Sequence, residues 1–215
     1  MTGAKKYSVV REKLSEWYDE NKRDYPWRKT TNMYRILITE ILLQKTIASN
    51  VNNIYDEFFK KYKDFSAIHG ASINSLQSDI KSLGLSNKRS KILKDLSKLV
   101  LTEYKGRIPE DPGDLKKVTG IGDYVCNAYA CVALNKRTFF SDVNIKRIIE
   151  RVFEAPDLKK EKDFVKKKLN ELLPSTDCKH FYWGLLDYGS KICTKRTPKC
   201  DVCQIAKNCA TFSKI

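Results

Sequence analysis

Apolar residues return every three or four positions along most of this chain, the period of a helix buried on one face. Val10, Leu14, Trp17 and Tyr18 set the first stripe, which gives way to a polar, turn-like stretch over residues 19–24. Pro26 marks a break. Ile36, Leu37, Ile41 and Leu42 describe a buried helix, and Ile47, Val51, Ile54, Tyr55, Phe58 and Phe59 continue its periodicity. Short helices are predicted over 64–69 and 72–83. A longer one is predicted over 86–102, with Ile92, Leu93, Leu96, Leu99 and Val100 inward. Gly106, Pro109, Pro112 and Gly113 make 105–113 a loop. Over 114–135 the pattern gives a short helix, a glycine turn and a second, apolar helix. Another helix begins near Asp142 and carries Val143, Ile148, Ile149, Val152 and Phe153. Pro156 and the lysine-rich 159–168 segment lead into one more, ending near Pro174, before 183–188 approaches a cysteine-rich end. Neither strand alternation nor an internal repeat interrupts this pattern, so the fold class is all-α.

Charge narrows the partners. The 215 residues hold 41 Lys plus Arg against 26 Asp plus Glu, a formal charge of +15. That excess suits a polyanion, with nucleic acid and an anionic membrane surface both fitting. The first residues lack the apolar core of a secretory signal peptide, and the greasiest run, ILITEILL, is too short to span a bilayer and contains Glu40. The expectation is a soluble intracellular protein that does not engage membranes.

Seven cysteines are placed unevenly. Cys126 and Cys131 fall in an apolar helix and read as core, and Cys178 reads as buried or incidental. Cys193, Cys200, Cys203 and Cys209 form C-x6-C-x2-C-x5-C. Four thiolates so spaced can satisfy a tetrahedral zinc or the four corner irons of a cubane cluster, with disulfides or free thiols as the alternative. A structural zinc usually takes two close pairs, and only Cys200 and Cys203 make one. The wide first gap lets a loop travel round something larger than a single ion. Within it, Lys195, Arg196 and Lys199 can offset thiolate charge, meet phosphate, or form a solvated basic turn.

The glycine turn reads Val118-Thr119-Gly120-Ile121-Gly122-Asp123-Tyr124. Two glycines around one apolar residue permit a tight reversal, with Val118 and Ile121 anchored in the core. Amides at the start of the second helix can then point at a phosphate without reading a base. A plain helix–helix turn has the same local sequence.

The GIG hairpin, the SDVNIKR segment that follows it and the C-x6-C-x2-C-x5-C terminus, in that order, resemble the helix–hairpin–helix base-excision DNA glycosylases of the endonuclease III superfamily. The resemblance spans almost the whole chain. It implies two all-α domains with DNA in the cleft between them: a six-helix barrel domain over 24–134, and a discontinuous domain of 1–23 plus 135–215. It implies a [4Fe–4S] cluster on Cys193, Cys200, Cys203 and Cys209, and Gly120, Gly122, Lys195 and Arg196 as DNA contacts.

Three further residues carry the chemistry. Asp142 suits the N-cap of the helix starting at Val143. The resemblance also gives it the task of stabilising oxocarbenium-like charge as the N-glycosidic bond breaks. Glu40, a carboxylate inside an apolar run, is expensive unless paired, hydrated or facing a cavity. It matches a glutamate of the mismatch glycosylase branch, where an acid of raised pKa assists base departure or positions water. Tyr124 stands where lyase-competent members carry a Schiff-base lysine, which a tyrosine cannot replace. It resembles the thymine/uracil mismatch glycosylases, where a tyrosine lines the base pocket. Gln44 and Lys45 resemble the wedge that fills the gap left by a flipped base, Lys45 the more closely. Leu85 resembles the opposing loop, and Lys88 and Arg89 suit backbone phosphate. Thr119 departs from the proline that many relatives place before the hairpin's first glycine.

The implied function is monofunctional removal of thymine or uracil opposite guanine in duplex DNA containing a mismatch, by a monomer in the cytoplasm or nucleoid. An adenine glycosylase acting on A·G or A·8-oxoguanine, or an inactive DNA-binding protein, are the alternatives.

Overall fold

The structure is a computed structural model that describes residues 3–155 and 161–214. The described residues form helices and short 3-10 turns with no strand. They divide into two compact units, Asp24–Leu134, and Met1–Arg23 with Asn135–Ile215. No described helix is long and apolar enough to cross a membrane.

The first unit holds α2 (Met33–Leu43), α3 (Ala48–Lys61), α4 (Phe65–Gly70), α5 (Ile73–Asp79), α6 (Ser86–Glu103) and α7 (Asp123–Leu134). Short polar side chains start several of them: Asn32 accepts from the Arg35 amide, Asp64 from Ala67 and Ser72 from Ser75. Helix α2 is the spine. Its Leu37, Ile38, Ile41 and Leu42 are completely buried, and it packs against α7, α3 and α6. Helices α4 and α5 lie on α6, where Lys94 reaches back to the carbonyls of Ile68, His69 and Ala71 and satisfies the end of α4. Cys126 is in this core, and Cys131 is also buried.

The second unit packs α1 (Gly3–Asn21) on α9 (Glu161–Leu172) and α10 (Cys178–Lys191), with α8 (Val143–Phe153) against α9 and α10. Trp17 meets Tyr188 edge-on, centroids 4.9 Å apart. Asp187, fully buried, is tolerated because it accepts from the backbone N–H and Nε of Arg23 at 3.0 and 2.5 Å. Cys178 is buried and donates to the Pro174 carbonyl.

The elements depart from the apolar pattern in three places. The period running from Ile36 to Phe59 conceals a break at residues 44–47, where Lys45 is left-handed (φ 52°). No glycine or proline marks it, because its bonding partners come from a remote turn. At the other end, 183–188 belongs to a full helix, α10. The 3-10 turn Pro112–Lys117 replaces the expected short helix before the hairpin. Residues 156–160, where the lysine-rich segment was expected to begin, lie outside the described residues.

Candidate active site

Helix α7 begins directly after the glycine hairpin, so the backbone of that turn fixes how its first amides are presented. Gly120 has φ +103°, and a Cβ on it would stand 2.6 Å from Cδ1 of Ile92 on α6. Only glycine fits both the dihedral and the contact. Leu115, Val118 and Ile121 are buried beneath the turn, and Ile121 N–H donates to the Val118 carbonyl at 3.0 Å. Gly122 is exposed, with open space around its α-carbon. The first amides of α7 lack helical partners by construction, and this end of the helix favours an anion. Lys88 is exposed and its Cε passes 3.8 Å from the position of a Gly120 Cβ, which brings a cation beside the hairpin.

Glu40 sits one turn into the buried stretch of α2 and is only 8% exposed. Among the described residues, none donates a hydrogen bond or offers an ion pair to its carboxylate. Burial alone pushes its carboxyl up to about 7. An acid with that value holds its proton near neutrality, as a proton donor must. Tyr124, in the first turn of α7, is half-buried and packs against the same core. Helices α2 and α7 lie against each other, so this unit carries both residues on adjoining helices.

Asp142, in the other unit, is the N-cap of α8. Its Oδ1 accepts from the amides of Asn144 (2.9 Å) and Ile145 (2.8 Å), and its Oδ2 accepts from Nδ2 of Asn144 (2.9 Å). The chain reaches it along a braced path. Tyr182 donates to the Thr138 carbonyl at 2.9 Å, accepts from the Phe140 amide at 3.2 Å and stacks on the Phe140 ring. Beyond the carboxylate, the sequence pattern missed a second layer. Asn144 Oδ1 accepts from Arg147 Nη2 at 2.8 Å; Arg147 also donates to the carbonyls of Gly189 (2.7 Å) and Cys193 (2.8 Å). Gly189 permits this approach, since a Cβ there would lie 2.8 Å from that of Asn144. The orientation of Asp142 is thereby connected to the first residue of the cysteine loop. The only sequence signal was the spacing of Asn144 and Arg147 on one helix face.

The four C-terminal cysteines line one cavity of about 110 Å³, together with Arg151, Tyr188 and apolar neighbours. Arg151 Nη1 lies 3.4 Å from Cys193 Sγ, and the Tyr188 hydroxyl lies 3.0 Å from Cys203 Sγ. Among the described residues, no three His, Cys, Asp or Glu side chains are grouped closely enough to hold one metal ion. Four thiolates around one shared cavity fit a larger, polynuclear group. Lys195 and Arg196 are exposed on the loop between the first two cysteines.

The loops expected to probe DNA are both present. Lys45 is exposed in the left-handed turn after α2, and Leu85, 54% exposed, is left-handed (φ 51°) just before α6. The Gln44 side chain turns inward, its Nε2 3.4 Å from the Gly120 carbonyl. Arg89 requires correction. Expected at a DNA phosphate, it is 2% exposed and its guanidinium is turned into the protein. The Lys88-Arg89 pair reads as a solvated dipeptide, yet Arg89 precedes Ile92 and Leu93 by one turn and so lies on the buried face of α6.

This combination of hairpin, capped aspartate and cysteine loop is a family's architecture. Residues 38–175 match the model of the HhH-GPD superfamily of base excision DNA repair proteins, and the chain belongs to that superfamily. It is 37% identical over 212 residues to the thymine/uracil-DNA glycosylase of Methanothermobacter thermautotrophicus, across 98% of this chain and 96% of that protein. The thymine/uracil-DNA glycosylase of Pyrobaculum aerophilum is 33% identical, across 96% and 92%. The solved structure of a thermostable thymine-DNA glycosylase superposes with a TM-score of 0.90 at 37% identity, covering 98% of both chains.

Proposed function

We propose that this protein is a monofunctional DNA glycosylase that removes thymine or uracil mispaired with guanine. The carrying observation is Tyr124 at the start of α7. With no amine at that position, a Schiff base with the sugar has no nucleophile there. Near full-length similarity to thymine/uracil-DNA glycosylases supports the same substrate class.

In this reading Gly120, Gly122, Lys88, Lys195 and Arg196 hold the DNA backbone, which requires cations and amides and no base recognition. Lys45 and Leu85 enter the duplex as the target nucleotide leaves it. Tyr124 packs against the extruded pyrimidine. Glu40 donates its proton to the departing base, while the electron pair of the C1′–N bond leaves with that base. Asp142 stabilises the positive charge that develops on the sugar, and water adds its hydroxyl at C1′ and releases its other proton to solvent, completing an abasic site. Cys193, Cys200, Cys203 and Cys209 would hold a [4Fe–4S] cluster. Bound there, the cluster would join three stretches of the C-terminal loop through thiolate bonds. Through the Cys193 carbonyl, Arg147 and Asn144, that loop also braces Asp142.

End-labelled duplexes containing T·G, U·G, A·G and A·8-oxoguanine test the substrate. Excision is expected from the first two, with strands breaking only after alkali. Excision confined to adenine would overturn the substrate, and borohydride trapping of a protein–DNA adduct would overturn the monofunctional chemistry. Iron and acid-labile sulfide analysis of the same protein is expected to find both in equal amounts, and zinc without sulfide would remove the cluster from the proposal.

A further inference from the structure

We propose that Arg89 is a positioning residue that fastens the two DNA-probing loops into one rigid, two-pronged unit; this deepens the reading above and rests on it. The guanidinium lies between the loops with donors committed to both. Nη1 donates to the carbonyls of Leu83 (2.9 Å) and Gly84, and Nη2 donates to the Gln44 carbonyl and to Thr46 Oγ1. Thr46 Oγ1 in turn donates to the Leu83 carbonyl at 2.9 Å, closing a second link. Loop 44–47 and loop 83–85 are thus joined through one planar fork.

The prongs stand directly beside these attachment points. Lys45 lies between Gln44 and Thr46, and Leu85 follows Gly84. Both are non-glycine residues in the left-handed region, at φ 52° and 51°, where a side chain with a Cβ is disfavoured. Such conformations persist where the surroundings over-determine them. Here the surroundings are the Arg89 bonds. Each loop also exposes an apolar side chain, Ile47 at 70% and Leu85 at 54%. A residue that must part stacked bases gains nothing from a soft mount.

Arg89 is a costly way to fill this space, which argues for a task beyond packing. All four acceptors are neutral, and among the described residues no carboxylate pairs with the buried charge. Its Nε has no hydrogen-bond partner. Lysine could not substitute, because three donors on one nitrogen cannot bridge four acceptors spread over two loops.

Arg89→Lys and the milder Thr46→Val test this. In both variants, amide hydrogen exchange in residues 44–47 and 83–86 is expected to accelerate about tenfold or more, in both loops together. Single-turnover excision of uracil paired with guanine is expected to fall at least tenfold. Excision of uracil opposite an abasic site, already unpaired, is expected to fall less than threefold. The salt dependence of binding to undamaged duplex is expected to stay unchanged. Should Arg89→Lys fail to fold, Thr46→Val carries the test alone. Exchange that accelerates in one loop only, or in neither, overturns the proposal. Equal losses on paired and unpaired uracil overturn it too. A log–log salt slope smaller by about 0.9 in Arg89→Lys would mean a direct phosphate contact and would also overturn it. Wild-type protein that excises nothing would instead defeat the proposed function, while the exchange measurement still decides the fastening role.

Discussion

Asp142→Asn is expected to lower the single-turnover excision rate by about a hundredfold to a thousandfold while folding and DNA binding persist. The magnitude is that of removing one preorganised electrostatic group from a developing charge. The persistence comes from what Asp142 does locally. As the N-cap of α8 it accepts two backbone amides through Oδ1, and asparagine caps about as well as aspartate. One bond is lost: an amide nitrogen facing Asn144 Nδ2 replaces the oxygen that accepted from it. Because Asn144 Oδ1 is taken by Arg147, Asn144 cannot rotate its amide without breaking the link towards Cys193. The stability change is therefore about 1 kcal/mol, a typical net hydrogen bond. Asp142→Ala would lose the cap itself, about 1 kcal/mol more, and separates capping from chemistry when both variants are melted and assayed together. A rate within tenfold of wild type in Asp142→Asn would leave Asp142 a cap and nothing else.

The cap was legible in the sequence because it is local. An aspartate three residues before the first inward-facing apolar position, Ile145, is a capping signal, and its place after the hairpin suggested the chemical role proposed for it. Glu40 was legible for a similar reason: a single carboxylate inside ILITEILL has nowhere inexpensive to go. What the sequence concealed depends on partners far away along the chain. The helical period runs straight from Leu42 to Val51, and the break between them is made by Arg89, 45 residues beyond Gln44. The same remoteness misplaced Arg89 on the surface, since adjacent basic residues suggest solvent unless the period of Ile92, Leu93 and Leu96 is extended back by one turn. Cysteine spacing announced four donors. It could not distinguish one ion from a larger group, because that depends on how widely the loop holds the sulfurs around their cavity. Arg147 signalled no more than its spacing from Asn144, since its bonds to Gly189 and Cys193 exist only once Gly189 lets α10 approach α8.

Glu40→Gln is expected to make the protein more stable and far less active. Burial raises the Glu40 carboxyl from 4.5 to about 7. Below about pH 4.5 the proton is held in both the folded and the unfolded chain, and no penalty exists. Between 4.5 and about 7 the unfolded chain releases its proton first, so stability falls as pH rises through this window. Above about 7 the folded chain is ionised too and the loss levels off. At about 1.4 kcal/mol per pH unit, the full penalty is about 3 kcal/mol. Glutamine has nearly the same shape and no charge to desolvate. Denaturant unfolding should therefore find Glu40→Gln up to about 3 kcal/mol more stable than wild type at pH 8, with the difference vanishing towards pH 4.5. Activity should move the other way, falling about a hundredfold or more, the worth of one well-placed proton donor. The wild-type single-turnover rate should hold steady below pH 7 and decline about tenfold per unit above it, and the residual rate of the variant should lack that limb. A wild-type rate that instead rises through pH 7 would make Glu40 a base acting on water and reverse the proton's direction in the mechanism. If Glu40→Gln is inactive but no more stable at pH 8, the carboxylate is solvated after all, and its raised pKa cannot be the reason it sits in α2. An isolated carboxylate is a poor choice for a helix otherwise filled by Leu37, Ile38, Ile41 and Leu42, and the stability gained by removing it measures what the active site costs the fold.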